Sequence, residues 1–429
     1  MTIAILSITL FACLFLGLPI FMSLGIATFV SLTTSNIPMT MVAQTLYQGV
    51  DKFPLLAIPC FILAGSLMER GGVTQQIIDV VLRFTGRITG GLGIATILAC
   101  MFFSAISGSG PGTVAAIGTL MIPAMVNRGY DRGYAGAVSS SGGTLGILIP
   151  PSNPMIIYGV IANCSIVGLF MAGMVPGIII GLSHCFVAYY VARKLNFGST
   201  GEQFNTRELL IMCWRGKFAL ATPLVILGGI YSGIFTPVEA SVIAVFYALL
   251  VGGAINRKLN FTDILESLTD AARITGTVII IVGTSTVFGQ ILTVNQAPLK
   301  LAAFITGIST NWYVVMLIII VVFFFLGMFM ETLSTIIILT PVLLPVVMEL
   351  GIDPIYFGVI FVVTNEVAFL TPPLGVNLFV ACQLSNVSIE RLSLHVLPHI
   401  LAIVLCILVL AFFPDIILWL PRLMGYAAY

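Results

Sequence analysis

The sequence predicts an all-α polytopic membrane protein made of two inverted repeats, each with a re-entrant hairpin and a broken helix. Three observations carry this. The 429 residues are 59% hydrophobic and 8% charged, with mean hydropathy +1.15, whereas a soluble domain carries about 25% charged residues. No Asp, Glu, Lys or Arg occurs in 1–50, 53–68, 88–127, 133–192, 218–238, 240–256, 274–299, 301–330, 332–348, 367–389 or 392–414. Most of these runs are long enough for one crossing, and 133–192 for two, since a spanning helix needs roughly 20 apolar residues. Third, the chain matches itself at a constant offset.

The same composition excludes several classes. A chain this apolar cannot cover itself with polar surface, so a soluble enzyme and a disordered segment are both ruled out. Net charge is +1 with no basic run, so nucleic acid is not an expected partner; membrane lipid is. The apolar runs are continuous rather than alternating, which excludes a β-barrel. No positive region precedes the first apolar stretch, so a cleavable signal is not expected. Pro19 reads as a tolerated kink in one long first span. The eight cysteines include no CxxC and read as small core residues. His184, His395 and His399 make no metal-ligand pattern, and His184 reads as a satisfied helix residue.

Orientation follows from charge. Arg70/Arg83/Arg87, Arg128/Arg132, Arg193–Lys217 and Arg257–Arg273 are the basic clusters, and the positive-inside rule makes them cytoplasmic. The segments 33–50, 232–238 and 349–354 lack Lys and Arg and read as outside. In 72–88, Gln75, Gln76, Asp79, Arg83 and Arg87 form one polar stripe backed by Ile78, Val81, Leu82 and Phe84, the pattern of a helix lying on the membrane surface.

The repeat has an offset of 222 and needs no gap. It pairs Thr113 with Thr335, Pro123 with Pro345, Gly129 with Gly351, Asp131 with Asp353, Tyr134 with Tyr356, Pro150–Pro151 with Pro372–Pro373 and Pro176 with Pro398. Four prolines coincide between windows holding five and six; chance would align fewer than one. Basic residues flank 88–127, so its ends lie inside. Its partner 311–348 meets only Glu349 and Asp353, so its ends lie outside. Inverted repeats of this kind mark secondary transporters. The expected units are an N-terminal scaffold segment 1–53, a first repeat 54–192 (hairpin 88–127, broken helix 133–162), linking scaffold helices 193–273, a second repeat 274–414 (hairpin 311–348, broken helix 355–385) and a C-terminal segment 415–429.

Helix breakers fall at matched points of the two halves. Residues 107–112 read Ser-Gly-Ser-Gly-Pro-Gly, and their counterpart tip is Glu331-Thr332-Leu333-Ser334, preceded by Gly327. The second breakers are 142–154, ending in Pro-Pro-Ser-Asn-Pro, and 364–377, containing Thr371-Pro372-Pro373. Broken intramembrane helices cost several kcal/mol unless the freed backbone groups find partners. Their carbonyls, with Ser, Thr and Asn oxygens, suit Na⁺, and half-helix N-termini suit an anionic group. Glu331 and Glu366 are carboxylates isolated in apolar sequence and are functional candidates for ion, substrate or proton. Asp131 and Asp353 read as helix caps, and Thr236-Pro237-Val238-Glu239 as a capping box.

These stretches resemble the large membrane subunit of the tripartite ATP-independent periplasmic transporters. The likeness runs through 58–72, GGLG at 90–93, FFSAISGSGPGTVAAIG at 102–118, RGY at 128–130, GILIPPS at 146–152, FTPVEA at 235–240 and LTPPLGVNLFVA at 370–381. It implies a bacterial inner-membrane secondary transporter with an elevator fold. It implies two partners, a small four-helix membrane subunit and a soluble periplasmic substrate-binding protein. It also implies Na⁺ coupling and an organic acid such as a C4-dicarboxylate or sialic acid. Carried over by position, one Na⁺ site uses Ser107, Gly110, Gly146, Ile149 and Pro151, and a second uses Gly327, Ala368, Thr371 and Leu374. Substrate lies between them, near Ser109, Thr113, Ser152, Glu331 and Asn377. Many members have Asp where this chain has Glu331. The alternatives are a proton-coupled carrier, a channel, and an intramembrane serine hydrolase using Ser107 or Ser109 with His184 as base. A primary pump lacks its phosphate loop here.

Overall fold

The computed structural model describes residues 2–33, 38–195, 197, 206–309 and 311–426. Parts of the expected outside segment 33–50, the linking segment 193–273 and the C-terminal segment 415–429 fall outside them. The described chain is helical, with no strand: α1 Thr2–Phe15, α2 Ile20–Thr33, α3 Met39–Val50, α4 Ala57–Arg70, α5 Val73–Thr85, α6 Gly91–Ser107, α7 Gly110–Asn127, α8 Arg132–Leu148, α9 Asn153–Ala162, α10 Ile166–Lys194, α11 Thr206–Arg215, α12 Lys217–Tyr231, α13 Pro237–Leu249, α14 Phe261–Val294, α15 Ala297–Ile308, α16 Trp312–Gly327, α17 Thr332–Glu349, α18 Pro354–Ala368, α19 Val376–Ser385, α20 Ile389–Phe412 and α21 Pro414–Leu423. Among the described residues seven helical spans are long and apolar enough to cross a membrane, or up to eight if the bent pair α11–α12 counts as one.

The first span corrects an expectation. Pro19 is a boundary, not a kink. Gly17 takes φ +75°, the Leu18 N–H returns to the Cys13 carbonyl at 3.1 Å, and Pro19 has no N–H with which to continue. α1 and α2 then fold back and pack on each other, which two collinear halves of one helix cannot do.

In α5 the polar residues Gln75, Gln76, Asp79 and Arg83 are half-buried, Phe84 is exposed, and the packed face is Val73, Ile77, Ile78, Val80 and Val81, set against α6. α5 is also tied to α11 through Arg83 and Glu208 at 3.1 Å.

The two broken helices α8 and α18 form the centre. Every residue from Gly133 to Leu148 and from Ile355 to Ala368 is buried, as a helix apolar on all sides requires. Small residues on α8, including Ser139–Ser140–Ser141–Gly142–Gly143, let its neighbours approach closely. Asp131 and Asp353 cap the two helices alike. Each Oδ1 accepts from the backbone N–H groups two and three residues on, at 2.8 and 3.1 Å for Asp131 and 2.7 and 3.3 Å for Asp353. Tyr134 and Tyr356 donate to the carbonyls of Ala188 and Ala411 at 2.9 and 2.8 Å, so each broken helix is pinned to the long helix of its own repeat. The Thr236–Glu239 capping box forms at the start of α13.

The repeat is visible as paired elements. Shifting α7 and α8 by 222 places them on α17 and α18, and both Pro-Pro bonds, Pro150–Pro151 and Pro372–Pro373, are cis. Contacts between the repeats are reciprocal. α19 packs on α7 and α8 while α9 packs on α17 and α18, and α20 packs on α8 while α10 packs on α18. Such exchange is what a two-fold relation produces.

Candidate functional site

Both hairpin tips face one cavity of about 530 Å³. The first tip ends α6 at Gly108, whose φ of +57° is the left-handed stop, and restarts with Ser109 as cap of α7. The second ends α16 at Gly327 and restarts with Glu331 at the cap position of α17. Residues 107–112 and 331–333 line the cavity, with Asn153, Pro154 and Phe369 beside them. Helices α4 and α14 complete the lining, from Ile58 to Glu69 and from Asp270 to Val278, and Gly65 of α4 packs directly on Ser107 of the first tip.

The arms hold 17, 18, 16 and 18 residues, about 24–27 Å at 1.5 Å per residue, against about 30 Å of hydrocarbon. All four arms are shorter than a full crossing, and both tips reach the same cavity.

The first expected ion set is drawn together. The Ser107 hydroxyl lies 2.8 Å from the Thr113 hydroxyl, and Thr113 donates to the Ser109 carbonyl at 2.8 Å. Gly146 sits so close to the tip that a Cβ there would collide with the Ser109 carbonyl. The Pro151 carbonyl faces Gly108, and Ile149 closes α8 through a bond from its N–H to Leu145. Gly110 lies against the buried Asn377.

The second set meets in the same manner. A Cβ on Gly327 would stand 2.7 Å from the Ala368 Cβ and 2.9 Å from Asn365 Oδ1. The Leu374 N–H donates to the Met328 carbonyl at 3.1 Å. Thr371 is the exception within this group, because its hydroxyl donates back to Val367 at 2.8 Å.

Of the five expected substrate residues, Ser109 and Glu331 line the cavity, while Thr113, Ser152 and Asn377 are fully buried behind the tips. Ser152 caps α9 and donates to the Ile147 carbonyl at 2.6 Å. Two amides, Asn153 and Asn365, join the expected Asn377. Asn153 Oδ1, Asn365 Oδ1 and Asn377 Oδ1 are buried without a hydrogen-bond partner, as are the hydroxyls of Thr332 and Ser334 and both carboxylate oxygens of Glu366. Asn377 Nδ2 donates to the Ser140 carbonyl at 3.3 Å and fills the space beside Gly143, whose repeat partner is Asn365. An amide therefore stands behind each tip, from α18 in one half and from α19, across the repeat boundary, in the other. Asn153 and Asn365 both lie in the breaker segments, which was the available signal.

His184 is not the simply satisfied residue expected. Its Nδ1 lies 3.1 Å from that of His399, both rings are buried, and both Nε2 atoms lack partners. No Ser–His pair forms: His184 faces His399, Ser107 bonds Thr113, and Ser109 caps α7. No group of three His, Cys, Asp or Glu side chains able to hold a metal occurs among the described residues.

The fold and site define a multi-pass transport protein with two interlocked repeats. The family model described as "Tripartite ATP-independent periplasmic transporter, DctM component" matches residues 7–416, and the chain belongs to this family. It is a multi-pass protein of the bacterial inner membrane. It is 41% identical over 404 residues to the isethionate TRAP transporter permease protein DctMQ of Oleidesulfovibrio alaskensis, covering 94% of this chain and 64% of that one. It is 34% identical to the C4-dicarboxylate TRAP transporter large permease protein DctM of Rhodobacter capsulatus, covering 97% and 98%. It is 35% identical to the sialic acid TRAP transporter large permease protein SiaM of Vibrio cholerae, covering 96% and 97%. The fold is similar to that of the YdaH transporter of Alcanivorax borkumensis, with TM-score 0.65, 15% identity and 88% of each chain covered.

Proposed function

We propose that this chain carries a small organic acid anion into the cell by Na⁺ symport, moving the hairpins and broken helices as one body against a scaffold of α1–α5 and α11–α15. The observation that carries the reading is the convergence of both tips on one cavity, with unpartnered amide oxygens behind each. Oxygens of amides and opened helix ends are hard, neutral ligands that fit Na⁺ better than a transition metal. Ser107, Gly110, Gly146, Ile149, Pro151 and Asn377 would hold one ion. Gly327, Ala368, Leu374 and Asn365 would hold the other, with Thr371 contributing its backbone. Ser109 and Glu331 would meet the substrate. A small membrane subunit and a periplasmic binding protein complete the assembly. The relatives named for isethionate, C4-dicarboxylates and sialic acid set the substrate range to try.

The test is uptake in proteoliposomes containing the chain, its small subunit and its binding protein. Na⁺-driven accumulation of isethionate, succinate or sialic acid, lost without the binding protein, is expected; uptake indifferent to Na⁺ would overturn the coupling. One observation favours a second reading, proton coupling: Glu366 is fully buried with neither oxygen partnered, and such a carboxylate is costly unless neutral. A Glu366→Gln protein that loses pH-driven uptake would support it.

A further inference from the structure

The cavity has a marked charge asymmetry. Glu69, Asp270 and Glu331 are its carboxylates, and Arg273 is its one cation among the described lining residues. The hairpin tips offer an anion only neutral donors. Nearby, Arg70 of α4 spans two acids of α14, donating to Glu266 at 2.5 Å and to Asp270 at 3.2 Å. This clamp offsets one of those two acid charges and joins the ends of the two helices, which the positive-inside rule expects on the cytoplasmic side. Glu266, Asp270 and Arg273 are spaced i, i+4 and i+7, one stripe of α14. Arg273 is the member of that stripe whose guanidinium has no ion-pair or hydrogen-bond partner among the described residues. It is exposed and lines the same cavity as Ser109 and Glu331.

We propose that Arg273 is the anion contact of the cytoplasmic release path. The acid group of the substrate leaves the neutral tip donors and is received by the Arg273 guanidinium before entering the cytoplasm. A guanidinium is suited to the task, because its planar fork pairs with two oxygens of a carboxylate or sulfonate. Its place on α14 also matters. A receiving charge on a fixed helix meets the substrate only when the tips stand at the inner side, so it favours release without strengthening binding at the outer side. Resting on the proposed function, the inference adds a named residue and the charge it reads. The competing role is an anchor to lipid headgroups, which a long cationic side chain at a membrane edge can also serve.

The test uses the reconstituted assembly and isethionate, succinate and sialic acid as probes. For the accumulated acid, Arg273→Gln is expected to lower maximal uptake by about tenfold or more, the effect of losing one hydrogen bond to a charged partner. Arg273→Lys should recover much of it. The Na⁺ half-saturation and thermal stability should stay as in the unaltered chain, and Arg193→Gln, outside the cavity, should leave uptake unchanged. Arg273→Gln with unchanged uptake would overturn the proposal. So would a parallel loss of assembly and stability in Arg273→Gln and Arg193→Gln, the result expected of a headgroup anchor. Unaltered protein that accumulates an acid without Na⁺ would instead overturn the coupling, and the Arg273 comparison would still read the release step.

Discussion

Ser109 and Glu331 occupy equivalent positions 222 residues apart, each at the cap of the second arm of its hairpin, and both face the same cavity. Their chemistry has diverged. The Ser109 hydroxyl accepts from the Gly112 N–H at 3.3 Å, so it serves its own helix. The Glu331 side chain makes no cap bond, and its backbone carbonyl alone holds Thr335. The carboxylate makes no bond to its own helix and lines the cavity.

Glu331→Gln keeps the shape and removes the charged acceptor. Uptake is expected to fall by about tenfold or more, the effect of losing a hydrogen bond to a charged group, with the melting temperature unchanged. Initial rates in proteoliposomes, paired with a thermal-shift curve, check this.

Gly146 and Gly327 are sites of close approach, where a Cβ would strike the Ser109 carbonyl in one case and crowd Ala368 and Asn365 in the other. Gly146→Ala and Gly327→Ala should each destabilise by about 1–3 kcal/mol, the cost of overpacking. Each should also raise the Na⁺ concentration giving half-maximal thermal stabilisation, with K⁺ as the control ion.

Asn365 and Thr371 separate two kinds of polar residue. The Asn365 oxygen is unpartnered, whereas the Thr371 hydroxyl is spent on Val367. Asn365→Ala should shift the Na⁺ titration to higher concentration, and Thr371→Val should leave it nearly in place. Titrating uptake against Na⁺ in both variants distinguishes them.

The His184–His399 pair joins α10 to α20 inside the protein. Removing one ring by His184→Leu leaves the other buried without its partner, a loss of about 1–3 kcal/mol. The double replacement His184→Leu with His399→Leu should recover most of it. A double-mutant cycle on thermal unfolding measures the coupling.

Asp131 ties the start of α8 to α20, with Arg391 at 2.6 Å and His395 at 3.4 Å. Burial raises its pKa, but the Tyr134 backbone N–H, Arg391, the Gly133 N–H and His395 together hold it below the ordinary value. A depressed carboxylate pKa contributes stability above the unfolded-state value, about 3.9, and loses it as pH falls through the folded value. Asp131→Ala should therefore lower the unfolding free energy at pH 7 by about 1 kcal/mol for the lost cap, read as a lower melting temperature. The difference from the unaltered chain should shrink as the pH falls below about 4.

Much of the architecture is legible in the chain because a bilayer makes sequence speak plainly. Charge is too costly inside it to be placed at random, so 16 acids and 17 bases outline the spans. Helix breakers are equally costly, so the motifs around 107–112, 142–154, 331–334 and 364–377 mark the site. Pro19 is ambiguous in sequence because a proline in a membrane helix can either kink or end it. The choice depended on Gly17 and on whether α1 and α2 could bury surface against each other. Position alone puts Thr113, Ser152 and Asn377 near the expected substrate site, but the direction of each side chain depends on the turn that carries it, and all three are buried.

Sequence alone determined the class, the two-fold repeat, the hairpin tips and the pairs of breakers, since each reflects a local cost that hydrocarbon imposes on charges or on unpaired backbone. Only the tertiary structure decided what meets what. It set Asn377 of one repeat beside Gly143 of the other, brought His184 to His399, and left Arg273 lining the same cavity as the tips while Arg70 took the neighbouring acids. These are contacts between segments far apart in the chain, fixed by packing geometry rather than by any residue's own preference.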